Sequence, residues 1–331
     1  MKIATLQFSP HLGAVPQNLS HATALLSPLK PNSIDLLVLP ELAFTGYNFP
    51  SLASITPYLE PTTAGPTTEW CIATAVRLGC HVIAGYPETH TDPTTEQTTQ
   101  YNSTVTVSPT GSILANYRKA FLYYTDETWA SEGPSGSAAN PGTYTDTAVP
   151  FFVGTLGALG KVGHGVCMDI NPYRFTAPWT DYEFAKTMLA HDVRLVVLSM
   201  AWLTHRLPEE IEADPGTPDM ETVAYWRHRF LPFLEASMER EILVVFANRC
   251  GVEGNVVGVA HVENGVQVEE GDRVCYAGSS CVMKFQQGGV RMFERGEGVG
   301  ILGKGEEGVL VVDTEKVSWI RLASCDVLPA C

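Results

Sequence analysis

KVGHGVCMDINPYRF occupies residues 161–175, and its first half reads as a buried strand ending on one reactive side chain. No charged residue interrupts the run from Val162 to Cys167, and Asp169, Asn171 and Pro172 follow at once. An apolar run bounded by turn residues suits a strand covered on both faces, as in a parallel sheet between helical layers. Gly163 and Gly165 leave room for a ligand or another backbone to come close. A free cysteine packs most often as a small hydrophobe, so this stretch alone leaves Cys167 either inert or a nucleophile.

The chain on either side repeats the theme. Strands are expected at 2–8, 34–40, 81–86, 103–108, 113–118, 162–167, 195–200, 242–248, 280–285 and 308–313, and helices at 15–26, 67–78, 181–191 and 222–240. Alternation of apolar, β-branched runs with helical patterns marks an α/β fold. Many strands lack a helix behind them, and Pro109-Thr110-Gly111-Ser112 reads as a hairpin turn, so an antiparallel share is expected. Paired sheets inside and helices outside predict a layered sandwich. No composition break divides the chain, so one domain over residues 1–331 is expected. Three segments, 131–148, 204–219 and 251–272, read as long loops, the first either a lid or a surface insertion.

Composition narrows the function. Among 331 residues, 45% are hydrophobic and 17% charged, a globular balance. With 36 acidic against 21 basic residues the net charge is −15, which argues against nucleic-acid or anionic-membrane partners, since both need a basic face. The eight cysteines form no CxxC pair, and no apolar run approaches the about 18 residues of a membrane span. The opening MKIATLQFSPHLG lacks a charged segment followed by an apolar one, so no secretory leader is expected. A reducing interior, the cytoplasm or also the nucleus, is the expected location, which makes the N-x-S/T sequons at Asn18 and Asn102 chance matches.

Three polar residues each close a strand that otherwise reads as buried: Glu41 after Leu-Leu-Val-Leu-Pro, Lys119 after the second hairpin strand, and Cys167. Ligand sites collect beyond the carboxyl ends of strands in open α/β sheets. If these strands are neighbours, a carboxylate can take the thiol proton while the ammonium stabilises thiolate and oxyanion. Each residue alone reads equally as a capping acid, a surface lysine or a packed thiol. A Cys–His dyad with His164 is the rival, but strand alternation places His164 and Cys167 on opposite faces. The same two residues as a metal pair lack further ligands at suitable spacing, and no metal is expected.

The strings around these residues are longer than the trio needs. PELAFTGY around Glu41, YRKAFLY around Lys119 and GVCMD around Cys167 resemble the carbon–nitrogen hydrolase (nitrilase) superfamily, as do LSMAW at 198–202, VFANRCG at 245–251 and AGSSCVMKF at 277–285. The resemblance implies an α/β fold of the four-layer α-β-β-α type and a cofactor-free amidohydrolase. In it Cys167 is the nucleophile, Glu41 the general base, Lys119 the oxyanion stabiliser, and the Met168 N–H completes the oxyanion hole. A second glutamate of the family, eight residues past the lysine, falls on Glu127 and is expected to position Lys119. Where many members carry an arginine soon after the cysteine, this chain has DINPYRF; with NYRKAFLYYTDETW, AYWRHRFLPFL and LGKGEEG this is similar to a fungal branch. That branch deamidates N-terminal Asn and Gln of proteins to Asp and Glu, feeding the Arg/N-degron route. The resemblance therefore implies polypeptides with N-terminal Asn or Gln as partners, together with the downstream enzymes of that route. A free α-amino group needs an acceptor-rich subsite; Asp169, Asn171 and Glu183 are the candidates, with Tyr47 shaping the wall. The segment before YWRHRF is shorter here than in that branch, and 251–272 is longer. Two other readings stand beside this one: an amidase of a free small-molecule amide, and a non-catalytic scaffold.

Overall fold

The computed structural model describes residues 1–133, 149–254, 262–263, 266–267, 274–295, 298–316 and 319–321. Two mixed sheets lie face to face. In the first, Gly308–Asp313, Lys2–Gln7, Leu36–Val38, His81–Thr91, Thr98–Val107 and Ile113–Arg118 are neighbours in that order. Lys2–Gln7, Leu36–Val38 and His81–Thr91 run parallel, while the next two strands each reverse direction. Two reversals restore the original sense, so Leu36–Val38 and Ile113–Arg118 end on the same side of the sheet. In the second sheet, Phe152–Thr155, Lys161–Val166, Leu195–Met200, Ile242–Asn248, Cys281–Gln286 and Gly289–Arg295 follow one another, the second, third and fourth parallel.

Side-chain alternation assigns the layers. In Leu36–Val38, Leu36 and Val38 join the core shared with the second sheet, and Leu37 joins the core under the outer helices Val15–Leu25 and Pro66–Leu78. The other face of the second sheet is covered by Glu183–Ala190, Met220–Arg229 and Leu231–Ala236, which insert Phe184, Met188, Trp226 and Phe233, with Phe230 from the junction of the last two. Each such side chain contributes about 1.5–3 kcal/mol by leaving water. The architecture is the four-layer α-β-β-α sandwich. Gly163 and Gly165 admit these helix side chains rather than a ligand: a Cβ there would meet Met188 Sδ at 2.1 Å and Phe184 Cε2 at 2.6 Å.

The helix expected at 222–240 breaks in two. Pro232 has no N–H to continue the first helix, which ends at Arg229, and a new one starts at Leu231. The segment expected to be a loop over 204–219 holds the helix Pro208–Ala213, started by Pro208 and by Glu210 accepting from the Leu207 N–H at 2.8 Å. Phe152–Thr155 and Gly289–Arg295 were not expected as strands; the first is only four residues long and the second carries charges on its half-exposed face. Most of the expected lid, 134–148, and most of the loop at 251–272 lie outside the described residues. Among the described residues, no helix is long and apolar enough to cross a membrane.

Candidate active site

The parallel strands deliver their ends to one place between the sheets. Glu41 lies three residues past Leu36–Val38, Lys119 directly follows Ile113–Arg118, and Cys167 directly follows Lys161–Val166. Glu41 and Lys119 have no solvent contact, and Cys167 is 9% exposed. The Lys119 ammonium donates to Glu41 Oε1 at 2.6 Å and to Asp126 Oδ2 at 2.6 Å. Asn102 Nδ2 bridges the same two carboxylates, 2.7 Å from Glu41 Oε1 and 3.0 Å from Asp126 Oδ1. Glu41 Oε2 accepts from the Ala201 N–H at 2.9 Å. Ala201 follows the strand Leu195–Met200, adjacent to that of Cys167, and Asn248 holds the turn by accepting from Trp202 N at 2.7 Å.

Backbone conformation aims the thiol. Cys167 has φ +42°, in the left-handed region, where a non-glycine residue costs of order 1–3 kcal/mol and persists only when its surroundings hold it. It opens a 3₁₀ turn, Cys167–Ile170, in which the Met168 N–H lies in the first turn and so has no partner within the helix. Gly85 makes room for Glu41, because a Cβ there would lie 2.5 Å from Leu42 N and 2.7 Å from Glu41 Cα. Gly85→Ala is therefore expected to displace the Glu41 backbone and destabilise the chain by about 1–3 kcal/mol. Chemical denaturation checks it, and an unchanged midpoint contradicts the crowding argument.

Charge in this pocket is set by burial and by close partners. Burial pushes the Glu41 carboxyl above the ordinary carboxylate range, with Lys119 as the chief opposing influence. Burial alone would discharge Lys119, but Asp126 and Glu41 outweigh it and hold the ammonium well above its usual value. The Cys167 thiol is pushed well up, first by burial and then by Glu41, against the pull of Lys119. The resting state is thus a neutral thiol beside a proton acceptor of raised affinity and a permanent cation, an arrangement suited to transferring the thiol proton as attack begins.

The remaining expected residues divide. Glu127, expected to hold Lys119, is exposed, and its neighbour Asp126 takes that place. Asp126 opens the turn Asp126–Thr128 and faces inward because its Oδ2 also accepts from Tyr123 N at 3.0 Å; the next residue in so tight a turn points away. Asp169 is fully buried, and it does not face a ligand. Its Oδ1 accepts from Ala120 N and Phe121 N at 3.2 and 2.8 Å, and its Oδ2 from Val166 N and Tyr117 OH at 2.7 and 2.8 Å. Asn171 is buried, accepting from Tyr225 OH at 2.6 Å and donating to Met168 Sδ at 3.3 Å. Glu183, the first residue of its helix, accepts from Tyr173 N at 3.1 Å and stands beside the Arg229 guanidinium at 3.9 Å, so it pins the loop that precedes it. Tyr47 is a wall residue, its ring 5.9 Å from the Lys119 ammonium in a cluster with Leu42, Trp129, Ala201 and Tyr276. His164 turns away from Cys167: its Nδ1 lies 3.3 Å from Thr104 Oγ1, and burial drives its pKa down to about 3, so it is a neutral core residue.

Sequence reasoning missed Asp126, Asn102 and the Ala201 N–H. The string Tyr101-Asn102-Ser103-Thr104 in an otherwise apolar sheet was a usable signal, since polar side chains buried in a strand need partners. Among the described residues no cluster of three or more metal-binding side chains occurs.

A profile of the carbon–nitrogen hydrolase family matches residues 2–176. Over 331 aligned residues the chain is 31% identical to the Protein N-terminal amidase of Schizosaccharomyces pombe, covering 96% of this chain and all of that protein. It is also 31% identical to the Protein N-terminal amidase of Saccharomyces cerevisiae over 71% of this chain, and spans 64% of that protein's length. The fold matches a crystal structure of an N-terminal amidase with an Asn-Glu-Ala peptide at a TM-score of 0.69 and 22% identity, covering 94% of this chain and 97% of the other.

Proposed function

This chain belongs to the carbon–nitrogen hydrolase family and is a hydrolase of carbon–nitrogen bonds other than peptide bonds; we propose that it deamidates N-terminal Asn and Gln of polypeptides to Asp and Glu. The near-full-length match to the Protein N-terminal amidase of Schizosaccharomyces pombe carries this reading.

In the proposed reaction Cys167 attacks the side-chain carboxamide carbon as Glu41 takes the thiol proton. The Lys119 ammonium and the Met168 N–H stabilise the oxyanion, a contribution worth about 10²–10³ in rate for a single donor at such sites. Glu41 returns the proton to the departing nitrogen, ammonia leaves, and a thioester remains. A water molecule, deprotonated by Glu41, attacks the thioester; the acid is released and the proton returns to the sulfur. Asp126 and Asn102 support this cycle by holding Lys119 and Glu41 in register. Two buried carboxylates, Glu41 and Asp126, share the one Lys119 ammonium, a balance that favours a substrate carrying a free α-ammonium. Enzymes that act on N-terminal Asp and Glu in the Arg/N-degron route, in the cytoplasm or nucleus, are the partners this reading implies.

Peptides beginning with Asn or Gln, their N-acetylated forms, and free asparagine and glutamine separate the alternatives. Ammonia release and amide-to-acid conversion are expected from the free-amine peptides alone. Equal turnover of acetylated peptides would sink the α-amine requirement, and turnover confined to the free amino acids would assign the site to small-molecule amides.

A further inference from the structure

Asp169 holds a place that the reaction cycle leaves unexplained. Its carboxylate is fully buried and accepts four hydrogen bonds, three of them at 2.7–2.8 Å and the one from Ala120 N at 3.2 Å, with donors from the strands of both sheets and the chain that follows. Val166 N belongs to the second sheet and immediately precedes the nucleophile. Tyr117 belongs to the last strand of the first sheet and Ala120 and Phe121 to the chain just past it, so their donors bracket Lys119 on either side. We propose that Asp169 is a positioning residue, clamping the Cys167 turn of one sheet to the chain around Lys119 on the other and thereby setting the distance between the nucleophile and its charged partners. The inference deepens the amidohydrolase reading and rests on it for the identity of the reaction, but the clamp itself is a matter of geometry.

Two physical points carry it. Among the described residues the two sheets share no backbone ladder, and Glu41 N reaches Met200 O across the gap at a long 3.4 Å, so the separation of Cys167 from Lys119 depends largely on side-chain contacts. A buried charged acceptor with four donors is among the stiffest such contacts, because hydrogen bonds strengthen where water is absent. The turn at Cys167 is also the one that needs holding. Its left-handed backbone relaxes unless neighbours prevent it, and the Val166 bond at 2.7 Å acts on the adjoining peptide.

Asparagine in place of Asp169 keeps the shape and removes half the acceptors. Whichever way the amide lies, its NH2 group opposes N–H or O–H donors that the carboxylate had accepted. Asp169→Asn is therefore expected to lower kcat by about 10²-fold with KM little changed, the scale set by small misplacements of reacting groups. Tyr117→Phe removes one donor and is expected to lower kcat by a smaller factor, again without a change in KM. Both variants are expected to slow iodoacetamide labelling of Cys167, because the cation that favours the thiolate is held less closely. Labelling needs no substrate, so it tests the clamp even if no N-terminal amide is turned over, an outcome that would count against the proposed function alone. A folded Asp169→Asn chain with kcat within about threefold of the parent, a loss expressed in KM, or an unchanged labelling rate would overturn the proposal. If Asp169→Asn does not fold, Tyr117→Phe decides: a fall in kcat with slowed labelling supports the clamp, and any other result overturns it.

Discussion

Cys167→Ala is expected to release ammonia from peptides with N-terminal Asn or Gln at least about 10⁴-fold more slowly than the parent chain, the scale seen when the nucleophile or its base is removed from comparable sites. Its melting temperature should change little, because the substitution deletes one sulfur from a small side chain and keeps the backbone. Alternative thiols are poor substitutes. Cys71 and Cys80 pack in the core beneath the outer helices of the first sheet, and burial raises both. Cys281 is buried as well, with no cation among the influences on it. Steady-state ammonia release checks the point. Turnover within tenfold of the parent would remove Cys167 from the chemistry, whereas ammonia release from neither chain would revive the scaffold reading.

Lys119→Met is expected to cost both stability and activity. Glu41 and Asp126 lose the ammonium that separates them, and neither has solvent to turn to. Breaking a buried pair by removing one partner costs about 3–5 kcal/mol, because an uncompensated charge stays behind. The pH dependence has a definite sign. Burial already raises Glu41, and Lys119 is its principal opposition, so the substitution raises that carboxyl further. A carboxyl whose folded pKa exceeds its unfolded one contributes stability that is present below the unfolded value and lost as pH rises through the folded value. The stability gap between variant and parent should therefore widen as pH rises above the ordinary carboxylate range. Calorimetric melting temperatures at a series of pH values measure it. A gap independent of pH would show that the ammonium is not what keeps Glu41 charged. Activity should fall as well, by about 10²–10³ in kcat, through loss of an oxyanion donor.

Much of the site was legible because its residues stand where apolar runs stop. Glu41, Lys119 and Cys167 each follow a strand whose composition alone requires burial, and a polar side chain at such a point either finds a partner or is exposed. Asp126 and Glu127 show the limit of that logic. The two acids are adjacent in Tyr-Thr-Asp-Glu-Thr-Trp, and their order says nothing about which one a tight turn directs inward. The turn at Asp126–Thr128 settles it by using the Tyr123 N–H as a second donor to Asp126. Asp169 shows another limit. An acid two residues past a nucleophile reads as a substrate contact until four donors from the two sheets and the chain that follows are counted around it. The helix break at Phe230 was legible in Pro232, which cannot donate the N–H that a continuous helix needs.

The amino-acid sequence by itself determined most of the strands, most of the covering helices and the three side chains able to do the chemistry. Those properties depend on local pattern and residue type, and neither requires knowledge of what lies opposite. Only the tertiary structure decided how the groups divide their hydrogen bonds: Asp126 rather than Glu127 beside Lys119, Asn102 between two carboxylates, Ala201 N–H on Glu41, and Asp169 tying sheet to sheet. A carboxylate buried between two sheets takes whatever donors the opposing layer presents, and that partner list is a property of packing across long stretches of chain.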